Sequence, residues 1–179
     1  MTGSQKRCSI VLLSAMMFSL VAVFAYAGSM EVYFSPKGGA TEAVCREIGA
    51  AQHEVLVQAY SFTSAPIAKA LTAARKRGVS VTVILDKSQV SEKYSSADYL
   101  AHAGIATFID YRHAIAHNKI VIIDRNTIIT GSFNFTKAAE DHNAENLLVI
   151  HGDADLAAKY LLNFEDHLNH STSYDKRRL

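Results

Sequence analysis

The chain has 179 residues, 18 Lys+Arg against 17 Asp+Glu, a formal net charge of +1 with histidines neutral, and two cysteines. So even a charge balance excludes a partner held by overall basicity, and any anion site must be local. One of the two cysteines lies in a leader-like N-terminal segment, which leaves Cys45 without a mate and excludes a disulfide-stapled scaffold.

Lys6 and Arg7 precede an apolar run from Ile10 to Phe24, and Ala25-Tyr26-Ala27 forms an A-x-A cleavage signal before Gly28. This pattern predicts a secretory signal peptide over 1–27 and a mature domain over 28–179, periplasmic or secreted. An uncleaved anchor is the alternative, because Ile10 to Ala27 is eighteen residues, close to spanning length. The small residues of the A-x-A site favour cleavage. Cys8 lies ahead of the apolar run, which is not the place of a lipoprotein acceptor. Cleavage leaves 152 residues, the size of one domain, and removing Lys6 and Arg7 turns the net charge to −1.

Met30 to Phe34 alternates like a strand. Pro36-Lys37-Gly38-Gly39 is a turn, and Thr41 is the expected N-cap of a helix through Ala51, within which Cys45 packs as a small hydrophobe. Glu54 to Tyr60 reads as a strand. Ser64 caps a helix with Pro66 in its first turn, which runs to Arg77 and stops at Gly78. Val79 to Leu85 is a β-branched strand, Ser91 to Ala103 a helix ended by Gly104, and Ala106 to Ile109 a short strand. A hairpin over Lys119 to Gly131 follows, then a short helix near Phe135 to Asp141, a strand from Glu145 to Ile150 and a helix from Asp153 to about His170. Leu156, Tyr160, Leu161 and Phe164 form the core stripe of this last helix. The polar tail Ser171 to Leu179 is expected to fray. Strands alternating with helices, then a late hairpin, predict a single α/β domain: a mixed β-sheet flanked by helices on both faces.

The stretch His117-Asn118-Lys119-Ile120-Val121-Ile122-Ile123-Asp124 puts an imidazole and an ammonium at the entrance of an otherwise apolar strand. With Arg125-Asn126 as a two-residue hairpin loop, Lys119 faces Ser132 and His117 faces Asn134, and strand alternation sends all four side chains to one face. A three-residue loop placing Lys119 opposite Phe133 scatters the set. Glu145 opens the next strand, within reach of His117. Lys119, Ser132 and Asn134 are donors for the non-bridging oxygens of a phosphate. His117 can attack phosphorus or move a proton near neutral pH, and Glu145 can hold its tautomer. Fixed cations in such a set do the work that two metal ions do elsewhere, so neither metal nor cofactor is expected.

His117-x-Lys119, four residues, Asp124, six residues, Gly131-Ser132 and then Asn134 resembles the HxK(x)4D(x)6GS motif of the phospholipase D superfamily. The short chain, leader and single motif look most like the small bacterial endonucleases of that superfamily. The resemblance implies a homodimer with one active site at the two-fold interface. His117 of one subunit attacks phosphorus to form a phosphohistidine, and the other protonates the leaving oxygen and then activates water. It also implies that Lys119 and Asn134 hold phosphate, with Ser132 and Glu145 supporting. Asp124 belongs to the motif but ends the strand farthest from His117, which favours a structural role over substrate contact.

Other histidine spacings carry less. His113 and His117 are four apart, but no H-E-x-x-H is present and the following residues are strand-like, so zinc is not expected there. His53, His102, His142, His151, His167 and His170 show no ligand spacing and read as solvated polar residues. Arg75-Lys76-Arg77 reads as a solvated helix end and Lys176-Arg177-Arg178 as a basic tail. Gly38-Gly39 is a turn without the phosphate-loop pattern, and no G-x-S-x-G supports a serine hydrolase. The expected substrate is nucleic acid. The alternatives are a phospholipid head group, or an inert module holding an anion. No obvious amphipathic membrane-surface helix appears, so no stable membrane association is expected once the leader is removed.

Overall fold

The computed structural model describes residues 28–175; the expected signal peptide and Lys176-Arg177-Arg178 lie outside the described residues. Strands β1 (Met30–Ser35), β2 (Glu54–Ala59), β3 (Ser80–Asp86), β4 (Ala106–Asp110), β5 (Lys119–Ile123), β6 (Thr127–Gly131), β7 (Glu145–His151) and β8 (Thr172–Ser173) build one sheet. Helices α1 (Ala40–Ala50), α2 (Ala65–Lys76), α3 (Ala97–His102), α4 (Lys137–Asp141) and α5 (Ala154–His170) connect or cover them. The strand order is β1-β7-β6-β5-β2-β3-β4-β8. Only β2, β3 and β4 run parallel; every other pair is antiparallel. The mixed sheet follows directly, since helical crossovers allow parallel pairing and the hairpin does not.

Both faces of the sheet are covered, as expected. Val44 and Ile48 of α1, Ile67 and Leu71 of α2, and Leu100 of α3 pack on Val55, Val57, Val83, Leu85 and Val121. On the other face Ala157 and Phe164 of α5 pack on Leu56, Ile84, Ile120, Ile122 and Ile128, with Leu156, Tyr160 and Leu161 at the margin. The central strands are therefore apolar on both sides, and truncating a fully buried side chain such as Phe164 to alanine costs about 3–5 kcal/mol.

Four local expectations are corrected. Helix α1 starts at Ala40 behind Gly39 in the left-handed region (φ 82°), so Thr41 is inside the helix; its N–H donates to Glu140 Oε2 at 2.8 Å. The expected helix over Ser91 to Ala103 shrinks to α3, because the polar Ser91 to Ser95 offers no buried stripe and the Asp86 side chain instead caps a 3-10 turn over Lys87–Val90. The tail does not fray at once: Thr172 and Ser173 pair with Ile109 and Phe108, and the Tyr174 hydroxyl donates to Asp98 at 2.6 Å. Arg77 is not merely solvated, since its Nη2 donates to the Ile48 and Ala51 oxygens that end α1.

The hairpin register also differs. Val121 pairs with Ile129 and Ile123 with Thr127, so three residues, Asp124 to Asn126, form the loop and Lys119 comes level with Gly131 rather than Ser132. Asp124 and Arg125 both take positive φ (50° and 55°), and the Asn126 N–H donates to the Ile123 oxygen at 3.0 Å. A long-range contact sets this turn. The Asp124 carboxylate accepts the N–H groups of Gln52, His53 and Glu54, each at 2.8 Å, which ties the hairpin tip to the start of β2.

Candidate active site

The end of β2, the starts of β5 and β7 and the end of β6 meet at one edge of the sheet, where the parallel strands present their C-terminal ends. This is where open α/β sheets gather ligand groups. Lys119 opens β5 opposite Ala59, and the Tyr60 N–H donates to the Asn118 oxygen at 2.9 Å, so β2 and β5 stay locked as they reach the edge.

Lys119 is buried to 7% exposure, yet its ammonium has a defined setting. Nζ donates to the His117 main-chain oxygen at 2.8 Å and lies 5.0 Å from the centre of the Tyr60 ring. Burial lowers its pKa, and the nearby Glu145 carboxylate partly offsets that shift. His117 is exposed and its ring lies 4.6 Å from the Tyr60 ring at a 54° tilt. Among the described residues no hydrogen bond engages the imidazole nitrogens. Tyr60 is the residue that sequence reasoning missed. An aromatic at a strand end carries no signal until the fold puts its ring beneath both the imidazole and the ammonium.

Gly131 and Ser132 explain the small residues of the motif. A Cβ at Gly131 would stand 2.2 Å from the Asn146 oxygen, and its φ of +147° disfavours any other residue. That close approach lets the Ser132 N–H donate to the Asn146 oxygen at 3.0 Å, while Ser132 Oγ accepts the Asn146 N–H at 3.0 Å. Phe133 and Phe135 are fully buried, so the alternating Ser132 and Asn134 lie on the other side of the segment. The Phe135 oxygen accepts the N–H groups of Thr63 and Ser64, which holds this segment beside the end of β2. Asn134 Oδ1 is buried without a partner among the described residues, the condition of a polar group prepared for a ligand or a neighbour.

Glu145 opens β7 at the same edge. Its Oε1 accepts from Asn143 Nδ2 at 3.1 Å, its N–H donates to Ser35 Oγ at 3.2 Å, and within one chain no hydrogen bond joins it to His117. Asp124 sits at the opposite end of the hairpin. Burial pushes its carboxyl up, but three backbone N–H bonds outweigh that and hold it below the usual range, a structural setting away from Lys119. The structure thus brings His117, Lys119, Ser132, Asn134 and Glu145 to one edge and leaves Asp124 apart. The cross-hairpin pairing expected to gather them is replaced by the main-chain links through Asn118, Asn146 and Phe135.

Two histidines read as solvated are not. His167 is buried, and with His170 it turns toward Asp110 and His113, away from any pairing of His113 with His117.

Residues 44–168 match a family model described as cardiolipin synthase, PLD-like domain. A protein named phospholipase D from Rickettsia felis is 44% identical over 131 residues, 73% of this chain and 65% of that protein. Mouse mitochondrial cardiolipin hydrolase is 32% identical over 120 residues, 67% of this chain and 54% of its own. The chain therefore spans less than two thirds of the length of these curated relatives. The crystal structure of Nuc, a phospholipase D family member from Salmonella typhimurium, superposes with a TM-score of 0.80 at 40% identity, covering 84% of this chain and 100% of Nuc.

Proposed function

The chain belongs to the phospholipase D-like family, and on that premise we propose that it is a phosphodiesterase cleaving nucleic acid, DNA foremost and RNA second, without a metal ion at the reacting phosphate. The observation that carries this reading is the buried Lys119 ammonium, fixed by the His117 oxygen and the Tyr60 ring close to the exposed His117 imidazole. A fixed cation beside a nucleophile is what phosphoryl transfer requires, since the charge on the equatorial oxygens must be met without reorganisation.

In the proposed reaction an imidazole nitrogen of His117 attacks phosphorus while the partner's His117 gives its proton to the leaving oxygen. The partner's His117 then takes a proton from water, whose oxygen displaces the imidazole and frees the phosphate ester. Two in-line displacements return net retention at phosphorus. Lys119, Ser132 and Asn134 hold the non-bridging oxygens, and Glu145, whose charge is felt by Lys119, supports the site. A single imidazole cannot stand on both sides of phosphorus in one step, so the reaction calls for a homodimer. Met30, Val32 and Phe34 expose an apolar stripe on edge strand β1, which supports a second copy as its cover.

A phospholipid head group is the second reading, favoured by relatives named phospholipase D and mitochondrial cardiolipin hydrolase. Nucleic acid is preferred because the ester-binding groups lie at the ends of the central strands β5, β6 and β7, in a fold that superposes closely on Nuc. The deciding experiment offers the purified mature protein single-stranded DNA, duplex DNA, RNA and phosphatidylcholine in parallel. Cleavage of DNA with little preference for sequence is expected, because phosphate contacts carry no base information. Choline release with intact DNA would overturn the nuclease reading.

A further inference from the structure

Asp110 ends β4 with no exposure at all, and three imidazoles converge on one of its oxygens. Oδ2 lies 2.8 Å from His113 Nδ1, 2.9 Å from His167 Nδ1 and 3.3 Å from His170 Nε2. The ring centroids are 4.8, 5.2 and 5.3 Å apart, so the three rings pack on one another as well as on the carboxylate. One carboxylate oxygen has two lone pairs, and three imidazole nitrogens within hydrogen-bond distance overcommit it. A cation at the point of convergence removes that competition. We propose that Asp110, His113, His167 and His170 bind one zinc ion in a structural site that clamps the β4–β5 loop to the C-terminal turn of α5.

The donor set argues for zinc. Three imidazole nitrogens and one carboxylate oxygen suit a tetrahedral ion of borderline softness, and four protein donors leave no open position for substrate. The four donor atoms already lie within 4.8 Å of one another. A tetrahedral ion with bonds of about 2.0–2.1 Å separates its donors by about 3.3 Å, and small ring rotations close that gap. His113 is the exposed member and the entry side; Asp110 and His167 are buried. The carboxylate is already oriented, because its other oxygen accepts the N–H groups of Arg112 at 2.9 Å and His113 at 3.2 Å. Such outer support is what holds a metal-binding carboxylate in place. Lys87 Nζ adds a bond to the His113 oxygen at 3.0 Å, restraining the same loop.

The loop between β4 and β5 carries His117, so this clamp sits on the segment that delivers the imidazole to the sheet edge. The ion is not part of the reaction, since His117 is outside its donor set. The site stands independently of the substrate assigned to the chain.

The test uses the mature protein, stripped with a chelating resin and titrated with zinc against a chromophoric chelator, alongside His113→Gln, His167→Ala and His117→Ala. One zinc per chain is expected in the wild type and in His117→Ala. Either ligand substitution should weaken binding by more than about 100-fold, the upper end for losing only an outer partner. Zinc at a hundredfold excess over its dissociation constant should raise the wild-type Tm by about 5–10 °C, and the rise should vanish in His113→Gln. Cobalt in place of zinc should give the visible bands of a tetrahedral site. His113→Gln alters an exposed side chain, and circular dichroism checks that it is folded. Absence of stoichiometric zinc in the wild type, binding by both ligand variants as tight as in the wild type, or loss of binding in His117→Ala would each overturn the assignment.

Discussion

Lys119 Nζ donates to the main-chain oxygen of His117 at 2.8 Å, so the cation and the imidazole of the candidate site are held by one two-residue span of backbone. Their separation is therefore set by local geometry rather than by the docking of two elements. In the proposed reaction, a phosphate held by the ammonium would meet the imidazole at a height set by this span.

His117→Ala should abolish turnover while leaving the fold and much of the nucleic-acid binding intact, because Lys119 and Asn134 remain. Loss of a residue acting as part of a unit costs several orders of magnitude in rate. When wild-type and variant chains are mixed and allowed to exchange, activity should fall as the square of the wild-type fraction, since each mixed dimer lacks nucleophile or acid. A linear fall with a monomeric mass would rule out the shared site.

Lys119→Met should lower kcat/KM by about 10^2–10^3 and reduce the salt slope of binding by about one. Burial lowers the Lys119 pKa, so the ammonium is lost at a lower pH than in a free lysine, and the alkaline limb of kcat/KM should fall below the ordinary lysine value. Between the two values the unfolded chain holds this proton and the folded chain does not, so the group's contribution to stability rises with pH across that window. Rate profiles of the wild type and Lys119→Arg check the assignment: the limb should move up in the arginine variant, which does not titrate there. An unmoved limb would assign it to another group.

The Tyr60 ring centre lies 4.6 Å from that of His117 and 5.0 Å from Lys119 Nζ. Tyr60→Phe should keep most of the activity. Tyr60→Ala should lose about tenfold, in keeping with a partly desolvated cation–π contact and a freed imidazole. Equal losses in the two variants would show that the hydroxyl, not the ring, matters.

Asp124→Ala should destabilise the protein by about 1–3 kcal/mol, because three backbone N–H groups lose a charged acceptor. The folded-state pKa of Asp124 is depressed, so its contribution is present above the unfolded value and is lost as pH falls through the folded one. Urea titrations should show the wild-type advantage at pH 7 shrinking as the pH drops below the usual aspartate range. With substrate saturating and the protein folded, kcat should be unchanged; a large fall in kcat would return Asp124 to the reaction.

Turnover should survive EDTA at a temperature where the metal-free protein is folded, since Lys119 stands where a Lewis-acid cation would. Loss of activity in folded protein, restored by magnesium, would sink this mechanism.

The sequence by itself determined the elements with strong periodicity and the family motif with strict spacing. The β-branched runs of β3 and β5, the amphipathic α5 and the Ser64–Pro66 helix start depend on neighbours a few residues away, so the pattern is local and legible. The spacing of His117, Lys119, Gly131, Ser132 and Asn134 was likewise legible as a motif, but the hairpin register expected to gather them was not.

Tertiary structure alone decided what depends on distant chain segments. The hairpin register turned on Asp124 meeting Gln52, His53 and Glu54, about seventy residues earlier, a contact that draws it out of the strand into the loop. Strand β8 exists because Tyr174 is anchored on Thr107 and Asp98, where two polar residues carry no strand signal of their own. Tyr60 acquired its place from the sheet edge, and His167 joined Asp110 from 57 residues away, across α5. Side-chain convergence of this kind is set by packing of whole elements, and no window of sequence contains it.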